Sequence, residues 1–113
     1  MLVLNITKNS QIADRAIKAN GFLARMVGLL GRGELASEEA LIIDHCQSIH
    51  MLFMRFPIDV IFVGRDNRVV GLSQNIKPFQ LSKIFFKSSY AVECPVGVIA
   101  TSKTTLGDEI ALR

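Results

Sequence analysis

The chain has 113 residues, the length of a single domain spanning 1–113. Half of them are hydrophobic and 20% charged, enough apolar material for one core without metal or disulfide staples. A formal charge of +3 spread over 13 bases and 10 acids argues against a nucleic-acid binder, which gathers Lys and Arg on one face, and no run reaches the ~20 apolar residues of a membrane-spanning helix.

Taken from the N-terminus, MLVLNITKNS has no basic region ahead of its short apolar run. It does not read as a secretory signal, so a cytoplasmic location is expected. Leu2 to Ile6 is a β-type run broken by Thr7-Lys8-Asn9-Ser10. Gln11 to Asn20 fits a strand, a loop or a helical turn equally. In Phe22 to Arg32, the residues Phe22, Met26, Leu29 and Leu30 recur at the spacing of one helix face. Asn20 serves as its N-cap, and Gly31 or Gly33 as its stop.

Ala40 to Asp44 reads as a buried strand. Ile49–Phe56 and Ile58–Gly64 read as a central pair of strands joined at Phe56-Pro57. Arg65-Asp66-Asn67-Arg68 is a hairpin turn, followed by a return strand from Val69 that bends on its way to Ile76. Lys77 to Ser89 is a long loop pinned by Phe79, Phe85 and Phe86. Tyr90 to Cys94 is a strand, and Pro95-Val96-Gly97 a turn. Val98 to Lys103 is a short helix or a strand. Gly107-Asp108 turns the chain into a last strand, Glu109 to Leu112.

Several motifs fall in a familiar order: GLLGR at Gly28 to Arg32, HMLFMRFPIDVIFV at His50 to Val63 and the Asp66 to Val70 turn. Lys77-Pro78-Phe79, VECPVG at Val92 to Gly97 and Gly107-Asp108 follow. In this order the chain resembles the bacterial and archaeal family known as domain of unknown function 192, from about Gly21 onward. The resemblance implies a compact, mostly β fold with one packed helix. It implies no activity, since the family has none assigned. Many members carry a secretory signal or lipid anchor. This chain shows neither, so an extracytoplasmic role does not carry over. Positions matching the family's polar motif residues are His50, Arg55, Asp59, Glu93 and Asp108. Cys94 stands where the family usually has Leu.

Asp59 is the most informative single residue. Strand alternation places it on the face of Ile61 and Val63. A carboxylate leaving water needs partners, or it takes up a proton. Arg55, His50, Arg25, Arg32 or the N–H groups of the Phe56-Pro57 bend are candidates. A structural aspartate fixing that bend is the commoner outcome for such a group. His45, Cys46, His50 and Cys94 include zinc and copper ligand types, but their spacing matches no structural metal site, so no metal or other cofactor is expected. The two cysteines read as buried thiols of a reducing compartment.

Ser48, His50 and Asp59 make a triad by composition only, without a GxSxG elbow. Met51 and Met54 with Phe53 and Phe56 could line a soft pocket, though core packing is the commoner role. Lys77, Lys83 and Lys87 with Phe79, Phe85 and Phe86 have the composition of a basic-aromatic nucleic-acid surface. On a loop beside a sheet, loop anchoring is the simpler account.

The expectation is therefore a mainly β domain, α+β at the margin. It is a sandwich or barrel of about seven strands with one packed amphipathic helix. The leading function is a non-enzymatic module that binds a small molecule or a protein partner. Its candidate ligand site is His50, Met54, Arg55, Asp59 and Glu93, with no catalytic residue assigned. The rivals are a small hydrolase or lyase using Asp59 or Glu93 as base, and a metal-binding protein.

Overall fold

The computed structural model describes residues 1–19, 35–49, 51 and 55–113. Among them, eight strands form two sheets beside one short helix. Strands β1 (Val3–Asn5), β2 (Ser10–Ala13) and β8 (Ile110–Leu112) form an antiparallel sheet ordered β2-β1-β8. Strands β3 (Arg15–Ala19), β4 (Glu39–Asp44), β5 (Ile58–Gly64), β6 (Val69–Ile76) and β7 (Ser88–Cys94) form a second, ordered β3-β4-β7-β5-β6. Only β3 and β4 run parallel there. A parallel pair needs a long crossover, and the helix expected at Phe22–Arg32 falls in that connection, outside the described residues. The described helix, α1, is Val98–Thr101.

The expected mainly β fold of about seven strands is present, with eight among the described residues, and two segments decide how they are arranged. The described part of the stretch Gln11 to Asn20 divides at Asp14, with Gln11–Ala13 in one sheet and Arg15–Ala19 in the other. In addition, the two edges of β5 are taken by β6 and β7, so the expected pairing with Ile49–Phe56, which lies partly outside the described residues, is not made by its described part. Ile49 and Met51 instead exchange backbone hydrogen bonds with Phe79, Gln80 and Ser82, at 2.9 Å each. That contact ties the long loop down.

The core lies on both faces of the larger sheet. One cluster joins Ile42, Ile61, Val63, Val92 and Cys94 to Val3, Ile12 and Ile110 of the smaller sheet and to Ile99 of α1. The other joins Leu41, Ile58, Val60, Phe62 and Ala91 to Cys46, Ile49, Met51 and Phe56. All seven residues of β5 are buried, so the strand reads as a continuous apolar run instead of an alternating one. This double burial accounts for a mean hydropathy of +0.35 over the chain. No described helix is long and apolar enough to cross a membrane.

The hairpin turn between β5 and β6 is formed as expected, with Asn67 at φ 62°, a left-handed conformation that asparagine tolerates. Gly97 has φ 99° where the chain leaves the Pro95-Val96 turn for α1, and a side chain there would be strained.

Candidate functional site

Asp59 lies on the β5 face toward the smaller sheet, with Ile61 and Val63, as strand alternation requires. It is 1% exposed. Its carboxylate is held by three backbone N–H groups: Asn75 donates to Oδ1 at 2.8 Å, and Gly97 and Ile99 donate to Oδ2 at 3.1 Å each. Among the described residues, no donor to it comes from a guanidinium or from the Phe56-Pro57 bend. Gly97 has no side chain to cap α1, and Asp59 supplies the missing acceptor from a neighbouring strand. Asn75 sits at φ 50°, where the β5–β6 register shifts. One buried carboxylate thus fastens a bulge and a helix start to the central strand.

Glu93 is also 1% exposed, but it is not beside Asp59. The ladder pairs Asp59 with Cys94 and Val60 with Glu93. Paired residues share a face and sequence neighbours oppose, so Glu93 points with Leu41 and Val60 into the second cluster. The sheet separates the two acids that the sequence reading grouped in one site. Arg55 is exposed. His50 and Met54 lie outside the described residues, as do Arg25 and Arg32, so the remainder of that grouping is not brought together by the described part of the chain.

The ligand-type residues are divided in the same way. Cys94 belongs to the first cluster and Cys46 to the second. Both are buried thiols, as expected. Burial, with the nearby Asp59 and Glu93 charges adding, pushes the Cys94 thiol far up from its ordinary value. The reactive species is the thiolate, so this position is chemically quiet. His45 and Ser48 are exposed. Among the described residues, no three of His, Cys, Asp and Glu converge on a point.

Sequence reading missed a second buried carboxylate network. Asp108, 4% exposed, accepts from Asn5 Nδ2 at 2.9 Å, Lys8 Nζ at 2.8 Å and Thr105 N at 2.9 Å. Burial alone would raise its pKa. The hydrogen bonds from Asn5, Lys8 and Thr105 outweigh it and hold the carboxyl well below the usual range. Asn5 Nδ2 also reaches Thr104 Oγ1 at 3.0 Å, and Thr104 and Ser102 share a 2.7 Å hydrogen bond. Asn5 and Lys8 lie 103 and 100 residues from Asp108, a separation that no local pattern shows. Its sequence signals were the Gly107-Asp108 turn and the place of Asp108 among the positions matching the family's polar motif residues.

The recess that stands out is elsewhere again. Between the sheet-edge strand β6 and the 80–85 segment runs a groove of about 440 Å³. Gly71, Leu72 and Ile76 line it from the strand, Leu81, Lys83 and Phe85 from the loop, and Leu106 adds a further wall. The Phe85 ring lies over Gly71, where a Cβ would run into it. It also packs on Phe62 with ring centroids 4.5 Å apart. Phe85 therefore anchors the loop, as expected. Phe79 and Phe86 do not, being 75% and 78% exposed.

Fold and site define a two-sheet β protein with a shallow, apolar-rimmed groove at one sheet edge. The chain belongs to the domain of unknown function 192 family, described as an uncharacterized ACR, whose profile matches residues 4–112. It is 33% identical to a UPF0127 protein of Pyrococcus furiosus over 96% of this chain and 95% of that one. A crystal structure of a Novosphingobium aromaticivorans protein of unknown function superposes with a TM-score of 0.80. It has 24% identity and covers 98% of this chain and 82% of that one. A Sinorhizobium meliloti structure, described as that of a candidate transcription regulator, superposes with a TM-score of 0.76. It has 18% identity and covers 97% and 89%. At such identities the two structures speak for the fold alone.

Proposed function

We propose that this chain is a non-enzymatic binding module whose site is the groove beside β6. The ligand or partner it fits offers an apolar body and an anionic or hydrogen-accepting head. The observation that carries this reading is the groove's lining. Leu72, Leu81, Phe85 and Leu106 supply apolar wall, Ser73, Gln74, Gln80 and Ser82 supply hydroxyls and amides, and Lys83 supplies the cation. Its volume of about 440 Å³ lies within the range of small-molecule sites. No carboxylate, imidazole or thiol lines it among the described residues. Such a lining suits holding a molecule, and Lys83 is its one titratable side chain among the described residues.

Asp59, the strongest candidate base from sequence, has both carboxylate oxygens engaged by backbone N–H groups. That commitment favours binding over a hydrolase or lyase using Asp59. Two buried thiols suit a reducing compartment, and a cytoplasmic location goes with this reading.

The test is a thermal-shift and NMR titration with dodecyl phosphate, with dodecyl trimethylammonium and glucose phosphate as controls. Dodecyl phosphate is expected to raise the melting temperature saturably, with shifts at Leu72, Leu81 and Lys83. Leu81→Ser and Lys83→Glu change exposed side chains and should each weaken binding at least about tenfold. Equal binding by both variants would remove the groove from the account. Turnover in a panel of ester, phosphate and glycoside substrates would replace the binding reading with an enzymatic one.

A further inference from the structure

Resting on the binding reading above, the class of partner follows from the rim of the groove. Phe79, Leu81, Ile84, Phe86 and Leu106 are between 58% and 78% exposed. Lys77, Lys83 and Lys87 are exposed among them. From Asn67 to Val92 the chain has no acidic residue, and its four charged residues, Arg68, Lys77, Lys83 and Lys87, are all positive. That stretch carries +4 against +3 for the whole chain. Positive charge and exposed apolar side chains are thus concentrated on one segment.

Phe79 adds an independent observation. Gln80 N donates to Lys77 O at 3.0 Å, closing a turn with Pro78 and Phe79 at its centre. Phe79 has φ 68°, the conformation that a turn with proline at its second position asks of glycine. A phenylalanine there combines a strained backbone with an exposed ring, and glycine would relieve both. Stability of the fold does not account for it, whereas a partner that buries the ring does.

We infer that the Lys77–Lys87 loop, with Leu106, is a docking surface for an anionic lipid bilayer. Phe79, Leu81, Ile84 and Phe86 enter the boundary between headgroups and acyl chains, and the three lysines meet the negative headgroups. Single-stranded nucleic acid is served by aromatic rings on which bases stack, and the aliphatic Leu81, Ile84 and Leu106 stack on nothing. Protein interfaces are depleted in lysine, while this patch interleaves three lysines with its apolar side chains. Hydrocarbon accepts phenylalanine and leucine alike, and each lysine near an anionic surface strengthens attachment about fivefold.

The experiment is co-sedimentation of the full chain with vesicles of phosphatidylcholine, alone or mixed with phosphatidylglycerol. Binding is expected to the anionic vesicles, at least about tenfold weaker to the neutral ones, and to fall as salt is raised. Replacing both Lys83 and Lys87 by Glu should weaken it at least about 25-fold, and Phe86→Ser about tenfold or more. Phe79→Gly separates docking from folding. It should weaken vesicle binding about tenfold or more while leaving the melting temperature unchanged or higher. Equal sedimentation with neutral and anionic vesicles overturns the inference. So does a Phe79→Gly protein that melts lower yet binds vesicles as before, or capture of a single-stranded oligonucleotide without capture of vesicles. Binding of monomeric dodecyl phosphate without vesicle binding removes the bilayer and keeps the groove. Binding of neither removes both.

Discussion

Replacing Asp59 by Asn keeps size and shape and removes one acceptor. In the wild-type protein Oδ1 accepts from Asn75, and Oδ2 accepts from Gly97 and Ile99. With the amide oxygen in the Oδ2 position, the Gly97 and Ile99 bonds survive without their charge, and the amide nitrogen faces the Asn75 N–H. With the oxygen turned the other way, two bonds are lost instead of one. A hydrogen bond to a charged group contributes about 1.5–3 kcal/mol, and the protein will settle in the orientation that loses less. The expected destabilisation is about 2–4 kcal/mol, measured by urea denaturation against wild type. Hydrogen exchange should also quicken at Ile99 and along α1, because the start of the helix is loosened. Dodecyl phosphate binding should be unchanged, since Asp59 does not line the groove. A loss of less than about 1 kcal/mol, or a variant that folds normally and no longer binds, would refute the structural role given to this carboxylate.

Gly71→Ala would drive a methyl into the Phe85 ring. It is expected to cost about 1–3 kcal/mol in chemical denaturation, and a neutral result would mean that Phe85 is not a fixed anchor. Asp108 makes stability depend on pH. Its folded pKa lies below the unfolded value, so its contribution is complete above about pH 4 and fades as the pH falls through the folded pKa. Melting temperatures from neutral to acid should fall less steeply in Asp108→Asn than in wild type, and parallel slopes would contradict this. Cys94, buried and with its pKa raised, should resist a thiol-specific reagent at mildly alkaline pH until the protein is unfolded. Rapid labelling of Cys94 in the native state, read by peptide mass spectrometry, would count against its placement.

Local pattern sufficed wherever neighbours in sequence decide geometry. The Arg65 to Arg68 turn was legible because Asp66-Asn67 separates two apolar runs, and asparagine accepts φ 62° at little cost. The face taken by Asp59 was legible because alternation along one strand is purely local. The same rule failed between strands. Alternation alone cannot say whether Asp59 and Glu93 share a face until it is known that Val60, not Asp59, stands opposite Glu93. Gln11 to Asn20 is ambiguous by pattern because it holds parts of two strands, β2 and β3, in different sheets, and neither is long enough to show a period of its own.

Composition and spacing by themselves determined a mostly β chain with an acid hidden on its most apolar strand and a basic, aromatic loop in its second half. Tertiary structure alone decided what those features do. The hidden acid meets donors 16, 38 and 40 residues away. Of the loop's three phenylalanines, only Phe85 finds a glycine to cover, while Phe79 and Phe86 stay in solvent. The reason is physical. Burial and hydrogen bonding depend on which surfaces meet in space, and strand register sets those meetings over separations that no short window of sequence spans.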